Sequence, residues 1–409
     1  MKNILFVAVI LLNGICTMAQ ADYPAAVEKF KRYYNQQQAD SLYSMYAPVM
    51  KTVLPLEKTV STISQLHTQL GELKSVTLTN EEKSYNIYKA VFTSNTFKMV
   101  LSLNNDNLLE GFRFFTYTET KKDTADIVLN GIHGTLTIPY ENKKVPVVLL
   151  IAGSGPTDRN GNNTMGLNTN TYKMLAEALL AKGIACLRYD KRGIGASRAA
   201  LNNESDVRFE DMINDATGWI KMLEADSRFS KVFVVGHSEG SLIGMIAAAR
   251  ENAAGFISIA GIAESADVTI KKQLNVKSPE LAAQGAILLD SLKKGYAVKE
   301  PDNNLNSLFR TSVQPYMISW LKYDPQQEIK KLKIPVLIIQ GTTDIQVSND
   351  NATSLKKAKP DASLIEIDQM NHVLKQAPAE RTANIATYTN PDLPLKKELT
   401  EAVVTFVSK

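Results

Sequence analysis

From about residue 127 onward, short apolar runs alternate with longer stretches of helical periodicity. The apolar runs are rich in β-branched residues and occupy residues 145–152, 184–189, 232–235, 255–260 and 335–340. Apolar residues recur at helical spacing in residues 171–181, 209–224 and 241–250. Short runs without polar alternation are typical of strands that are buried on both faces of a parallel sheet. The pattern predicts an α/β domain over residues 127–409, with a mostly parallel sheet covered by helices.

One interval interrupts this alternation. Residues 262–332 are mostly of helical pattern and separate two predicted strands. A crossover between parallel strands needs only about a dozen residues. Because this interval is much longer than a crossover requires, we predict that residues 262–332 form a helical cap inserted into the domain.

The preceding residues have a different pattern. Ala26, Val27 and Phe30 fall at helical spacing, whereas residues 97–103 and 108–117 have the apolar alternation of strands. Helices followed by antiparallel strands predict a small α+β domain at residues 22–117. The polar and charged stretch at residues 118–126 is interpreted as the linker between the two domains.

The extreme N-terminus has the pattern of a secretory signal. Lys2 precedes an apolar run at residues 4–12, and the small residues Thr17, Ala19 and Ala21 follow. Cleavage after either alanine fits the pattern, and the run is short for a membrane span. We expect residues 1–21 to be a signal peptide and the protein to be exported, to the periplasm or out of the cell.

Composition excludes some classes of function. The 46 Lys and Arg residues exceed the 42 Asp and Glu residues by only four, and they are dispersed, so a nucleic-acid partner is not expected. Once residues 1–21 are removed, Cys186 is the one cysteine left, so the fold is expected to rely on its core and not on disulfides. No HExxH or phosphate-binding glycine motif occurs, and neither a metal nor another cofactor is expected.

The candidate nucleophile lies in the sequence Gly-His-Ser-Glu-Gly at residues 236–240. This pentapeptide follows a predicted strand and precedes a predicted helix, which is the context of a nucleophile elbow with Ser238 at its tip. A plain serine at a helix entry is the alternative.

A serine nucleophile needs a base and an acid. Of the four histidines, His67 lies in the N-terminal domain, His133 lies in a strand-like stretch, and His237 is next to Ser238 on a tight turn. His372 remains as the base. Asp344, which directly follows a predicted strand, is the expected acid, and Asp368 is the competing candidate. The chain order serine, aspartate, histidine is that of α/β-hydrolases.

The oxyanion of the reaction needs two backbone donors. We expect one to be the amide of Glu239, the residue after the nucleophile. The second is assigned to the amide of Ser154 in the glycine-rich loop that follows residues 145–152, with Gly153 as the alternative donor and as a substrate-contacting residue.

Several motifs in this order resemble the α/β-hydrolase superfamily over about residues 126–409. The sequence DKRGIGAS at residues 190–197 resembles the superfamily's Asp-x-Arg-Gly-x-Gly-x-Ser turn. The sequences GSGPTDRNGN, GHSEG, GTTDIQV and MNHVLK resemble a bacterial carboxylesterase subgroup close to the serine-aminopeptidase-like hydrolases. Ala152 departs from this pattern, since many relatives have histidine there. The resemblance implies that Asp190 and Arg192 are structural residues that pair near the turn, and the N-terminal domain resembles a small cystatin-like or nuclear-transport-factor-like domain.

The resemblance implies a serine esterase that cleaves a small-molecule ester through an acyl-enzyme. A peptidase with the same triad and a non-catalytic binding protein on the same scaffold are the alternatives. Tyr316 and Trp320 in the cap are candidates for lining an acyl pocket, and the N-terminal domain is a candidate surface for a homodimer. The natural substrate and its acyl-chain length are left open.

Overall fold

The computed structural model describes residues 21–82, 84–117, 122–139, 143–301 and 304–409. The chain divides into two compact units, with the boundary between residues 119 and 120. The predicted signal peptide lies outside the described residues except for Ala21, and it stays a prediction. Across the described parts of the chain, no helix combines the length and the apolar character that crossing a membrane requires.

The first unit consists of helices followed by one antiparallel sheet. Its helices are α1 (Tyr23–Asn35), α2 (Ala39–Ser44), α3 (Pro48–Val53) and α4 (Leu56–Leu70). Its strands, in spatial order, are β1 (Leu73–Glu81), β2 (Asn86–Phe92), β3 (Thr96–Leu103) and β4 (Leu109–Thr116). The order of helices and strands is the predicted one, but β1 and β2 were not predicted. Strand β1 carries polar residues at most positions and is largely exposed, so it shows little of the apolar alternation that identifies strands.

The second unit is built on an eight-stranded sheet in the spatial order β12-β11-β10-β9-β7-β8-β6-β5. Its strands are β5 (Lys122–Leu129), β6 (Ile132–Pro139), β7 (Val145–Ile151), β8 (Ala185–Tyr189), β9 (Phe229–His237), β10 (Gly255–Ile259), β11 (Val336–Gly341) and β12 (Ser363–Ile367). The six strands from β12 to β8 are parallel, while β5 and β6 pair antiparallel at one edge. The predicted mostly parallel sheet is therefore confirmed.

The interpretation of residues 118–126 as a linker is wrong for residues 122–126. These residues form the first part of β5, in which Asp126 pairs with Thr135 of β6. Strand β5 lies at the edge of the sheet, where polar and charged residues are favoured because they discourage pairing with another chain. Edge position therefore explains why a strand here has the composition of a linker. Residues 118–121 lie outside the described residues.

The helices of this unit cover both faces of the sheet or form the cap. They are α5 (Thr171–Leu180), α6 (Phe209–Ala225), α7 (Glu239–Glu251), α8 (Ala266–Lys277), α9 (Pro279–Lys293), α10 (Asn306–Phe309), α11 (Gln314–Trp320), α12 (Pro325–Lys331), α13 (Asn349–Ala358), α14 (Arg381–Ala386) and α15 (Lys397–Val407). Alternate residues of β7 face opposite cores. Leu149 packs with helices α6 and α7, and Leu150 packs with α5 and α15. The sheet is therefore buried on both sides, as its continuous apolar strands predict.

The cap contains helices α8 to α12, between β10 and β11. It has a small apolar core of its own, which includes Leu289, Leu292 and Phe309. Helix α11 also packs on the main body of the unit, where Tyr316 and Trp320 contact Phe209 of α6. The cap is therefore anchored to the body through α11.

Candidate active site

Ser238 lies on the sharp turn between β9 and α7. Its backbone has φ 54° and ψ −121°, a conformation that costs a non-glycine residue about 1–3 kcal/mol. The flanking glycines allow the turn. A Cβ on Gly236 would lie 2.2 Å from the carbonyl oxygen of Gly240, and a Cβ on Gly240 would lie 2.5 Å from that of Ala152. The predicted elbow geometry is present, and a plain helix-entry serine would not require this backbone strain.

His372 and Asp344 are hydrogen-bonded to each other. His372 Nδ1 is 2.8 Å from Asp344 Oδ2, and both side chains are buried. Asp344 Oδ1 accepts hydrogen bonds from the backbone amides of Gln346 and Val347, at 2.8 and 2.9 Å. Burial alone would raise the pKa of Asp344, but His372 and these hydrogen bonds lower it below its usual value. The carboxylate therefore holds the tautomer of His372 that leaves Nε2 free to accept a proton.

Asp368, the competing acid, lies elsewhere. It is exposed, and its carboxylate accepts a hydrogen bond of 3.2 Å from the hydroxyl of Thr342. The geometry therefore favours Asp344 as the partner of His372.

The candidate oxyanion donors lie at the ends of β7 and β9. The amide of Gly153 already donates to the hydroxyl of Tyr172 at 3.1 Å, so it is occupied. Among the described residues, the amides of Ser154 and Glu239 have no hydrogen-bond acceptor. A Cβ on Gly153 would lie 3.1 Å from Ser238 Cβ, which places this loop directly against the nucleophile. The arrangement favours Ser154 over Gly153 as the second donor.

His237 is hydrogen-bonded through both of its ring nitrogens. Nδ1 is 2.8 Å from the Tyr172 hydroxyl, and Nε2 is 2.9 Å from the backbone oxygen of His372. Burial raises the pKa of Tyr172, which keeps its hydroxyl a donor to Nδ1, so His237 donates from Nε2. Burial and, secondarily, His372 lower the pKa of His237 to about 3. His237 is therefore a neutral side chain that connects the Gly153 loop to the His372 loop and has no free nitrogen to act as a base.

A buried neutral histidine makes folding sensitive to acid. Its folded-state pKa is below the unfolded value, so the unfolded chain binds the proton and stability falls as pH drops from about 6.5 towards 3. The free energy of unfolding of the wild type should fall when the pH is lowered from 7 to 5. We expect this fall to be about 2 kcal/mol smaller in His237→Gln, which has no imidazole to protonate. Urea unfolding followed by tryptophan fluorescence measures this. Both tryptophans, Trp219 and Trp320, lie in the second unit. Equal losses in the two proteins would contradict a neutral His237.

A second buried network also contacts the Gly153 loop. Lys191 Nζ donates to the backbone oxygen of Gly153 at 2.5 Å and pairs with Glu239 Oε2 at 3.2 Å. The other carboxylate oxygen of Glu239 accepts a hydrogen bond of 2.8 Å from the hydroxyl of Tyr316. The side chains of Lys191 and Glu239 are 7% and 3% exposed. This network connects the cap, the nucleophile elbow and the Gly153 loop.

A cavity of about 470 Å³ contains Ser238 and His372. Its apolar lining comes from Met165, Leu167, Tyr172, Val373, Ile385 and Tyr388. Among its described lining residues there is no Asp, Glu, Lys or Arg. No hydrogen bond joins the Ser238 hydroxyl to His372 in the part of the chain that the structure describes, and such catalytic bonds commonly tighten only once substrate is bound. The cavity therefore offers an uncharged site next to the nucleophile.

Tyr316 and Trp320 do not line this cavity. Trp320 stacks on Phe209 with ring centroids 5.9 Å apart, and the Tyr316 hydroxyl is bonded to Glu239. Their aromatic stripe instead packs the cap on the body, so their prediction as substrate-binding residues is wrong for this cavity. Gly153 does line it. The sequence did not predict that three further residues support the site, namely Tyr172, Lys191 and His237.

Asp190 and Arg192 pair with other residues and not with each other. Asp190 Oδ2 lies 3.0 Å from Arg159 Nη2, and Arg192 Nη2 lies 2.6 Å from Asp215 Oδ1. Asp190 also accepts from the backbone amide of Arg159. Asp190 therefore holds Arg159, in the later part of the loop that begins at Gly153, and its role is structural. Over the described ranges, no three or more His, Cys, Asp or Glu side chains cluster as metal ligands would.

Comparisons with known proteins identify related hydrolases. Residues 164–376 match the family described as serine aminopeptidase, S33, and residues 27–112 match a family described as a protein of unknown function, DUF3887. The chain is 26% identical over 394 residues to esterase EstD of Thermotoga maritima, covering 89% of this chain and 90% of the relative.

Solved structures of other hydrolases are also similar. Est1E from Butyrivibrio proteoclasticus, bound to ferulic acid, is 17% identical with a TM-score of 0.46, over 70% of this chain and all of that one. A puromycin-hydrolyzing peptidase from Mycobacterium tuberculosis is 15% identical with a TM-score of 0.44, over 81% of this chain and 46% of that one. The first family match spans more than half of the chain and includes the elbow, Asp344 and His372. The chain therefore belongs to the serine aminopeptidase S33 family of α/β-hydrolases.

Proposed function

We propose that the protein is a serine esterase that hydrolyses small, uncharged carboxylic esters. The single observation that carries this proposal is the uncharged cavity that holds Ser238 beside the His372–Asp344 pair. The similarity to esterase EstD over most of both chains supports the same reaction.

The proposed reaction has two acyl-transfer steps. His372 Nε2 takes the proton of Ser238 as Oγ attacks the ester carbonyl, and the amides of Ser154 and Glu239 stabilise the oxyanion. The C–O bond then breaks, and the alcohol leaves with the proton held by His372. Water, deprotonated by His372, attacks the acyl-enzyme through the same geometry and releases the acid.

The cavity favours esters over the substrates of an aminopeptidase. An aminopeptidase must bind the positively charged α-amino group of its substrate, and a buried or half-buried ammonium needs a carboxylate partner. The described lining of the cavity contains no such carboxylate. An ester with apolar substituents would leave no charge unpaired there, and Met165, Leu167 and Ile385 offer it an apolar surface.

Parallel assays of p-nitrophenyl esters and aminoacyl p-nitroanilides test this assignment. We expect kcat/KM for p-nitrophenyl acetate or butyrate to exceed that for alanyl or prolyl p-nitroanilide by at least about tenfold, since an unpaired ammonium costs more than 1.4 kcal/mol. Faster hydrolysis of the anilides would favour the peptidase. A fluorophosphonate that fails to label Ser238 in the wild type would favour a non-catalytic binding protein.

Two further proposals concern the rest of the chain. Export rests on the pattern at residues 1–21, and N-terminal sequencing of the mature protein tests it. A homodimer through the N-terminal domain rests on its small size and on exposed apolar residues of α3 and α4, among them Val49, Val53 and Val60. Light scattering after size-exclusion chromatography measures the mass in solution.

A further inference from the structure

One peptide group connects Lys191 to the candidate oxyanion hole. The carbonyl oxygen that Lys191 contacts at 2.5 Å belongs to the peptide bond between Gly153 and Ser154. The N–H of that same peptide bond is the Ser154 amide. A trans peptide is planar, with its C=O and N–H pointing in opposite directions, and the described chain has no cis peptide bonds. Fixing the carbonyl on Lys191 therefore directs the Ser154 N–H away from Lys191.

This peptide lies at the wall of the reaction cavity. Ser154 and Ser238 both line that cavity, and Gly153 approaches Ser238 closely enough that a Cβ would lie 3.1 Å from Ser238 Cβ. The Gly153 amide is held separately by Tyr172, so the loop is fixed on both sides of Gly153. The Ser154 N–H has no acceptor among the described residues, so it is left as the candidate donor of this loop to the cavity.

The second oxyanion donor is connected to the same lysine. Glu239 contributes its backbone amide to the elbow, and its side chain pairs with Lys191 at 3.2 Å. Tyr316 of the cap completes the pair by donating to the remaining carboxylate oxygen. Such a buried ion pair is costly to desolvate and is weak evidence for stability, since apolar residues of similar volume often serve as well. Its position between the two donors suggests a role in the reaction.

We propose that Lys191 is a positioning residue for the oxyanion hole: its ammonium orients the Gly153–Ser154 peptide and, through Glu239, fixes both backbone donors in one buried network. The inference rests on the proposed esterase function. A charged donor on the carbonyl also polarises the peptide and strengthens the hydrogen bond that its N–H donates. Lys191 is not among the described residues that line the cavity, and its ammonium contacts Gly153 and Glu239 instead.

Lys191→Met, which keeps the length of the side chain and removes its charge and donors, tests the proposal with p-nitrophenyl butyrate. Loss of one oxyanion donor costs about 10²–10³ in kcat, and a misaligned donor costs less. We expect kcat to fall about 10- to 100-fold with KM changed less than threefold. The inhibition constant of a trifluoromethyl ketone, whose tetrahedral adduct places an oxyanion in the hole, should rise by the same factor as kcat/KM falls.

Two control variants separate positioning from stability. Lys191→Met/Glu239→Gln removes both charges, so no buried charge is left unpaired, and we expect it to regain the melting temperature lost in Lys191→Met without regaining kcat. Arg192→Met breaks the neighbouring Arg192–Asp215 pair and should lower the melting temperature while kcat stays within about threefold of wild type.

The outcomes are distinguishable. Unchanged kcat and unchanged ketone inhibition in Lys191→Met, or recovery of kcat together with the melting temperature in the double variant, would overturn the positioning role while leaving the esterase intact. If Lys191→Met does not fold, the double variant decides by the same two measurements. A wild type that neither hydrolyses the ester nor reacts with a fluorophosphonate would overturn the esterase function and this inference with it.

Discussion

Replacement of Ser238 by alanine is expected to lower kcat for p-nitrophenyl butyrate by about six orders of magnitude. The substitution removes the one hydroxyl that lies on the elbow between β9 and α7 and faces the cavity with His372. Alanine has a Cβ like serine, so the strained backbone and the packing of the elbow are kept. Steady-state rates and fluorophosphonate labelling of purified protein measure the loss.

Ser241→Ala is the matched control for this experiment. Ser241 lies one turn further along α7, and its hydroxyl is buried and bonded to that of Ser258 at 2.7 Å. Its removal should cost stability, on the order of 1 kcal/mol, and leave kcat close to that of wild type. Comparable losses of kcat in the two variants, or labelling that persists in Ser238→Ala, would show that another nucleophile is used.

Asp344→Asn is expected to lower kcat by about four orders of magnitude near neutral pH. The backbone amides of Gln346 and Val347 require an acceptor at Oδ1, so the asparagine must present its NH₂ group to His372. An NH₂ donor at Nδ1 selects the tautomer that carries its proton on Nε2, and that nitrogen can then no longer accept the proton of Ser238. The measurement is the pH profile of kcat and kcat/KM for both proteins.

Asp368→Asn is the control for the acid. Its exposed carboxylate contacts Thr342 and not His372, so we expect kcat within about twofold of wild type. A loss of kcat that is larger in Asp368→Asn than in Asp344→Asn would reverse the assignment of the acid.

The parallel sheet and the central motif could be predicted from the sequence because both depend on local patterns. Strands β7 and β10 are apolar on both faces, so their residues carry a continuous signal. The elbow is also a local feature, because a single turn contains Ser238 and requires glycine at positions 236 and 240. Edge strand β5 was missed because it pairs with β6 only. Its polar residues give no continuous apolar signal.

The supporting residues could not be predicted because they meet through the fold. Lys191 is 38 residues from Gly153 and 48 from Glu239, and Tyr172 is 65 residues from His237. A lysine after a turn and a tyrosine on an apolar helix face carry no local sign of such contacts. The role of Tyr316 could not be predicted either. The aromatic residues of its helix predicted the lining of an acyl pocket, whereas in the structure Tyr316 packs on Phe209 and joins the cap to the body of the unit.

The strained backbone of Ser238 has a consequence for engineering. Glycine adopts a positive φ without a steric penalty, so a glycine at this position relieves about 1 kcal/mol or more and also removes the nucleophile. Libraries ranked by heat resistance alone will therefore enrich inactive chains at this codon. Selection for a thermostable catalyst has to score turnover and melting temperature together, because at Ser238 the two properties oppose each other.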